Sequence, residues 1–286
     1  MSGRSTASGQ RVSYGVRAAT VRFGDVTALD DVTVPVEPGA IVAVVGGDGA
    51  GKTTLLRTLV REVALDEGSV HAPDKPDLGY LPAATGSWGG LSVRQNLDFV
   101  AGIYGVRGAA LEARRAELLA AAALVEAADR PAAQLSGGMR RKLGFCMAMM
   151  HRPSLVVLDE PSTGVDPVSR VELWRLIAQA AAQGSAVIMS TTYLDEAERA
   201  ARLVVLDEGR VLVAGSYDDV RASFPGEITR DGQAQRRSWS WRRGTQRHEY
   251  WPAGDPPAAL SRVDPDLEDI VIALSLSKRL RTEATA

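Results

Sequence analysis

The residues Gly46-Gly47-Asp48-Gly49-Ala50-Gly51-Lys52-Thr53-Thr54 are those whose types and spacing most directly imply chemistry. Gly46, four residues, then Gly51, Lys52 and Thr53 form the phosphate-binding loop pattern. Its glycines let the backbone curl until several N–H groups point at phosphate oxygens. Lys52, in a solvent-facing loop, reaches the terminal phosphates of a nucleotide, and the Thr53 hydroxyl ligates Mg²⁺. Four of the 33 basic residues are lysines, which makes one in a glycine-rich loop informative. Two more stretches carry polar groups at element ends. LSGGM (135–139) opens the helical run RRKLGFCMAMM, and LVVLDEP (155–161) is an apolar strand ending in Asp159 and Glu160. A third, AVIMSTTYLDEAE (186–198), stops its apolar run at Ser190-Thr191-Thr192 before an acidic helix.

The elements that must position these groups follow from periodicity. IVAVV (41–45) is a β-branched strand that delivers the loop, and LLRTLVREV is the helix whose positive N-terminal end supports it. Strand and helix patterns alternate over 14–83 and again over 153–220, as in an α/β core. Between them, 84–152 reads as helices, residues 1–13 as a disordered polar tail, and 221–286 as a C-terminal accessory region. Within the last, QRRSWSWRRGTQRHEYWP (235–252) has the pattern of a hairpin turning at Arg-Gly-Thr with its tryptophans on one face. Basic residues interleaved with aromatics also occur in nucleic-acid binders, but a small β-unit packed on the core is the preferred reading. The chain of 286 residues is 45% hydrophobic with a formal charge of -2, so it holds a proper core and has no global pull toward polyanions. No nucleic acid is expected as a partner. Cys146 rules out a disulfide framework and reads as a small buried residue of a helix in a reducing compartment. Neither a signal peptide nor a membrane span is expected.

Phosphate loop, LSGG and a strand ending in Asp-Glu, in that order, resemble the ATP-binding subunit of an ATP-binding cassette (ABC) transporter. STGVDP (162–167) resembles the family's D-loop, and AERAARLVVLDEGRVLVAGSYDDV (197–220) the segment that closes its core. PDLEDIVIAL (265–274) is similar to the last helix of drug- and lipid-exporter cassettes. The resemblance implies a P-loop NTPase core of RecA-like type, an ABC-type antiparallel β part and an inserted helical subdomain that touches a membrane subunit. It implies ATP and Mg²⁺ as cofactors, with Thr53 and Asp159 on the metal and Glu160 as the carboxylate that orients the attacking water. Phe23 stands where the family stacks an aromatic on adenine, though a core phenylalanine is the alternative. Trp88 stands where such cassettes receive the permease, with core burial as the alternative. Ser136 caps a helix start, and the exposed N–H groups beside Gly137 and Gly138 make a second anion site. In the resembled family Leu135, Ser136, Gly137, Gly138 and Met139 complete the pocket of a facing subunit, so two cassettes sandwich two ATP molecules head to tail.

Two positions depart from the family pattern. DLGYLPAATGSW (77–88) has Ala83 where the family has Gln, and the strand AVIMS is followed by Thr192 where the family has a switch His. An Ala cannot donate a hydrogen bond, and a Thr hydroxyl is shorter and neutral. The expectation is therefore an exporter ATPase, peripheral on the cytoplasmic face of the membrane through a separately encoded permease. Its own site is attenuated, and its second ABC ATPase subunit is a different chain. A fully active homodimeric exporter ATPase and a non-hydrolysing regulatory module remain open.

Overall fold

The computed structural model describes residues 13–84, 86–231 and 236–285. Apart from Ser13, the tail expected over 1–13 lies outside the described residues. Strands β1 (Tyr14–Phe23) and β2 (Val26–Val36) form a hairpin, β3 (Ile41–Val45) runs into helix α1 (Lys52–Leu59), and β4 (Glu67–His71) and β5 (Leu78–Leu81) follow. Helices α2 (Val93–Ile103), α3 (Gly108–Ala121) and α4 (Gly137–Met149) come next. Alternation then resumes with β6 (Leu155–Leu158), α5 (Pro167–Ala182), β7 (Ala186–Thr191), α6 (Leu194–Glu198), β8 (Arg202–Asp207), β9 (Arg210–Gly215) and α7 (Tyr217–Ala222). Strands β10 (Glu227–Asp231), β11 (Ser240–Arg243), β12 (Gln246–Trp251) and β13 (Ser261–Val263) precede helix α8 (Leu267–Thr285).

The central sheet has the order β5-β6-β7-β3-β8-β9, parallel throughout except for the β8–β9 pair. The inner strands β3, β6 and β7 are buried throughout, as expected where both faces of a sheet are covered. Ile41, Ala43 and Val45 of β3 face one core with the helices α2 to α5, while Val42 and Val44 face the other with α1 and the antiparallel sheet β2-β1-β4. Leu55, Leu56 and Leu59 of α1 are fully buried there, each contributing about 1.5–3 kcal/mol by removal from water. The strand order also settles where the polar ends go. Val45 pairs with Thr191 and Leu158 with Met189, so the carboxyl ends of β6, β7 and β3 lie side by side. Open α/β sheets bind ligands at that edge.

Local chemistry sets the helix ends. Ser92 and Gln95 form a reciprocal capping box at α2, and Asp166 caps α5 ahead of Pro167. Helix α4 is buried along Arg141–Met149, which is why LGFCMAMM lacks a polar face. Cys146 is fully buried, and burial pushes its thiol up to about 12.

The C-terminal sheet has the order β11-β12-β10-β13, all antiparallel, and the hairpin turns at Gly244-Thr245 as expected. Its tryptophans do not share one face. Trp241 lies opposite His248 and joins Tyr250 and Ala273 in a small core, while Trp251 points the other way and donates its indole N–H to Thr229 Oγ1 at 2.9 Å. The cause is the period of two: Tyr250, not Trp251, is in phase with His248. Asp269 of α8 accepts from His248 Nδ1 at 2.8 Å and pairs with Arg243 at 3.3 Å, pinning the helix to the hairpin.

Candidate active site

Crowding and chirality shape the loop between β3 and α1. A Cβ on Gly46 would stand 2.4 Å from the Leu206 carbonyl oxygen of β8. Gly51, at φ 100, caps α1 from the left-handed region, and a Cβ there would meet the Ala28 oxygen at 2.5 Å. The first turn of α1 has no side-chain cap, which leaves its N–H groups to an anion. Lys52 is 6% exposed, contrary to its expected solvent-facing position. Its Nζ donates to the carbonyls of Gly46 at 2.8 Å and Gly47 at 3.1 Å, because a buried ammonium must place its donors and these acceptors are nearest.

The carboxylates come from the end of β6. Asp159 Oδ1 accepts from Thr53 Oγ1 at 3.2 Å and from Ser190 Oγ at 2.7 Å. Glu160 adopts φ 47, and its N–H donates to the same Ser190 oxygen at 2.8 Å. Its carboxylate lies 3.9 Å from Lys52 Nζ and accepts from Thr163 Oγ1 at 3.1 Å. Thr53 and Asp159 thus offer a hydroxyl and a carboxylate oxygen side by side. Hard oxygen donors of this kind, few in number, fit Mg²⁺, which keeps waters and phosphate oxygens in its shell.

A cleft of about 530 Å³ opens over the loop, walled by Phe23 and Val26 of the β1–β2 hairpin, by residues 47–54, and by Glu160 and Glu208. Phe23 is 53% exposed, so it is not a core residue. Gly47, Asp48, Gly49, Ala50 and Thr54 line the same cleft. Leu135, Ser136, Gly137, Gly138 and Met139 do not; Ser136 Oγ instead accepts from Met139 N–H at 3.2 Å as the cap of α4. Gly138 packs against Ser169, where a Cβ would stand 2.5 Å from the Ser side chain, and Gly137 lies near the Gly164 carbonyl. Thr192 and Ala83 are both exposed, and neither lines the cleft.

The ABC transporter family profile matches residues 29–163. Daunorubicin resistance ATP-binding protein DrrA2 of Streptomyces coeruleorubidus is 35% identical over 228 residues, covering 75% of this chain and 70% of that protein. The chain belongs to the ABC transporter ATP-binding family. Probable multidrug ABC transporter ATP-binding protein YbhF of Escherichia coli (strain K12) is 38% identical over 201 residues, covering 67% of this cassette but 35% of that protein. This cassette therefore spans about a third of the length of YbhF. The solved structure of an ATP-binding subunit of an ABC transporter superposes with a TM-score of 0.69 at 28% identity, over 74% of this cassette and 93% of that chain. The α/β P-loop fold of ABC ATP-binding subunits follows from these matches.

Three polar groups of the cassette's site escaped the sequence reading. Ser190 was visible only as one of several hydroxyls at a strand end. Glu208 reaches the cleft from the β8–β9 turn, where LDEG reads as an ordinary turn. Arg141 of α4 donates to the Pro82 carbonyl at 3.3 Å, beside Ala83. Burial lowers the pKa of its guanidinium, and the nearby charges of Glu160 and Asp159 act in the opposite sense.

Proposed function

We propose that this cassette binds ATP with Mg²⁺ in the P-loop cleft and powers an exporter by closing head to tail on a second cassette. The observation that carries this reading is the separation of the P-loop cleft from the signature residues. Lys52, Thr53 and Glu160 line the cleft, with Asp159 buried behind Thr53 and accepting its hydroxyl, while the signature residues 135–139 open a different helix outside it. A site completed by the signature of a facing subunit accounts for both.

In this reading Lys52 donates to terminal phosphate oxygens, and Phe23 offers an exposed ring to the adenine. Thr53 and Asp159 hold Mg²⁺, which supplies charge neutralisation at the phosphates. Glu160 accepts a hydrogen bond from the water that attacks the γ-phosphorus as the bond to the leaving oxygen breaks. Positioning and electrostatics carry such a reaction. The site's own turnover is attenuated, because the methyl of Ala83 and the exposed hydroxyl of Thr192 replace two donors. That asymmetry favours a different chain as the second cassette.

The stretch 84–152 serves as the helical subdomain that meets a membrane permease. Trp88 is 44% exposed and stacks edge-to-face on exposed Phe99 at 4.5 Å, beside a groove of about 400 Å³ that includes Tyr104 and His151. Among the described residues no helix is long and apolar enough to cross a membrane, and a peripheral place on the cytoplasmic face, held by the permease, is consistent with that. Export rather than import follows the multidrug and daunorubicin resistance names of the relatives. Glu160→Gln tests the assembly: it halts turnover and keeps the binding contacts, so ATP should drive a stable dimer with the proper partner cassette, read by light scattering. No ATP-dependent association with any candidate cassette would overturn the sandwich.

A further inference from the structure

The turn from Asp207 to Gly209, between β8 and β9, forms one wall of the nucleotide cleft and is held from two sides. On the inner side, Gly209 N–H donates to the Ala50 carbonyl of the P-loop at 3.1 Å, and Gly209 O accepts from Asp30 N–H at 2.8 Å. Gly209 sits at φ 76, and a Cβ on it would stand 2.8 Å from the Ala28 oxygen. The turn and the loop therefore move together. On the outer side is Lys278 of α8, in the accessory region that the proposed chemistry leaves unused. Its Nζ donates to Asp207 O at 2.9 Å and Asp207 Oδ2 at 3.0 Å, and pairs with Glu208 Oε2 at 2.9 Å. Leu267, Ile270, Val271 and Leu274 pack the start of α8 into the main core, and beyond them, where cavities of about 590 and 440 Å³ flank the helix, the ammonium makes the polar link to the turn.

We infer that Lys278 is a positioning residue of the nucleotide site, through which the C-terminal accessory region sets the charge and placement of the cleft wall. The inference rests on the nucleotide-binding reading above. Asp207 and Glu208 put two carboxylates beside a cleft meant for a polyphosphate, and like charges at this range repel. Lys278 neutralises part of that charge and ties both groups to α8. Its hydrogen bond and charge also hold the Glu208 carboxyl below the usual carboxylate range.

The test is equilibrium MgATP titration of the full chain at low and high salt. Lys278→Ala should weaken MgATP binding by about three- to tenfold at low salt, and less at high salt, as for a partly exposed charge. Lys278→Arg should retain affinity, and Glu208→Gln added to Lys278→Ala should restore most of the loss. A merely structural role for Lys278 predicts neither the salt dependence nor the rescue. Glu208→Gln alone, which leaves the Asp207 contacts in place, should tighten binding by about twofold or more and keeps the idea testable if Lys278→Ala does not fold. Unchanged affinity in Lys278→Ala, unchanged affinity in Glu208→Gln, or a loss that neither salt nor the second substitution relieves would overturn it. If the folded wild-type chain binds no MgATP, the nucleotide reading itself falls, and this inference with it. If the wild type binds and Lys52→Ala does not, yet Lys278→Ala is neutral, the role of Lys278 alone is refuted.

Discussion

Ser190 Oγ donates to Asp159 Oδ1 at 2.7 Å and accepts the N–H of Glu160 at 2.8 Å, so one hydroxyl at the end of β7 fixes both carboxylates at the end of β6. Ser190 and Asp159 are 0% and 1% exposed, where an unmade hydrogen bond is costly. Ser190→Ala removes a donor from a buried carboxylate and an acceptor from a residue in the left-handed region. We expect urea unfolding to show a loss of about 1–3 kcal/mol. ATP hydrolysis should fall with it, while MgATP binding, which rests on Lys52 and the loop, should persist. Wild-type stability in this variant would show the bridge to be dispensable.

Lys52→Ala removes a cation from the phosphates and a donor from the carbonyls of Gly46 and Gly47. A charge-assisted hydrogen bond contributes about 1.5–3 kcal/mol, so MgATP affinity should drop by about 10- to 100-fold. The core under the loop is apolar and does not involve Lys52, so the fold should survive with a lowered melting temperature. Titration and a thermal melt on the same sample check both; unchanged affinity would refute the P-loop assignment.

Glu196 is 2% exposed, and burial raises its pKa, although hydrogen bonds from Thr191 at 2.6 Å and Ser162 at 2.8 Å act in the opposite direction. A carboxyl raised in the folded state binds its proton more tightly there than in the unfolded chain. Its contribution to stability is therefore full below the ordinary value of 4.5 and is lost as pH rises through the folded value. Glu196→Gln, which has no charge to bury, should gain stability relative to wild type as pH rises from about 4.5 to neutrality. Urea midpoints of both proteins across that range measure the difference; a gap that narrows with rising pH would mean that the Arg170 charge, 3.9 Å away, dominates instead.

The site was legible where function demands fixed spacing within one segment. Gly46 to Thr53 must be contiguous to wrap a phosphate, and β3 and α1 flank them as their periodicity implies. Asp159-Glu160 was readable because a continuous apolar strand ended in charge. Ser190 and Glu208 were not readable, since their importance comes from the strand order that sets β7 beside β6 and the β8–β9 turn beside the loop, which local periodicity does not encode. Lys52 looked exposed because loops usually are, and only the Gly46 and Gly47 carbonyls explain its burial. The tryptophan hairpin was found at the right turn, but the phase of Trp251 depended on the register between β11 and β12.

Thr192 is exposed just past the end of β7 and stands outside the cleft, while its neighbour Thr191 is 1% exposed and committed to Glu196. A positioned acid–base or oxyanion-type donor typically contributes about 10²–10³ in rate. A site that keeps Thr53, Asp159 and Glu160 but has Ala83 and Thr192 should bind ATP well and hydrolyse it slowly. Thr192→His restores a longer, protonatable donor at that position. Single-turnover hydrolysis, measured in the assembled complex with the partner's catalytic carboxylate disabled, should rise by about tenfold or more. The gain should vanish when Glu160→Gln is added, because the imidazole acts on a reaction that Glu160 must first set up. Brisk hydrolysis at the unmodified site, with no gain from the histidine, would mean that other groups supply the missing contacts and that position 192 does not limit catalysis.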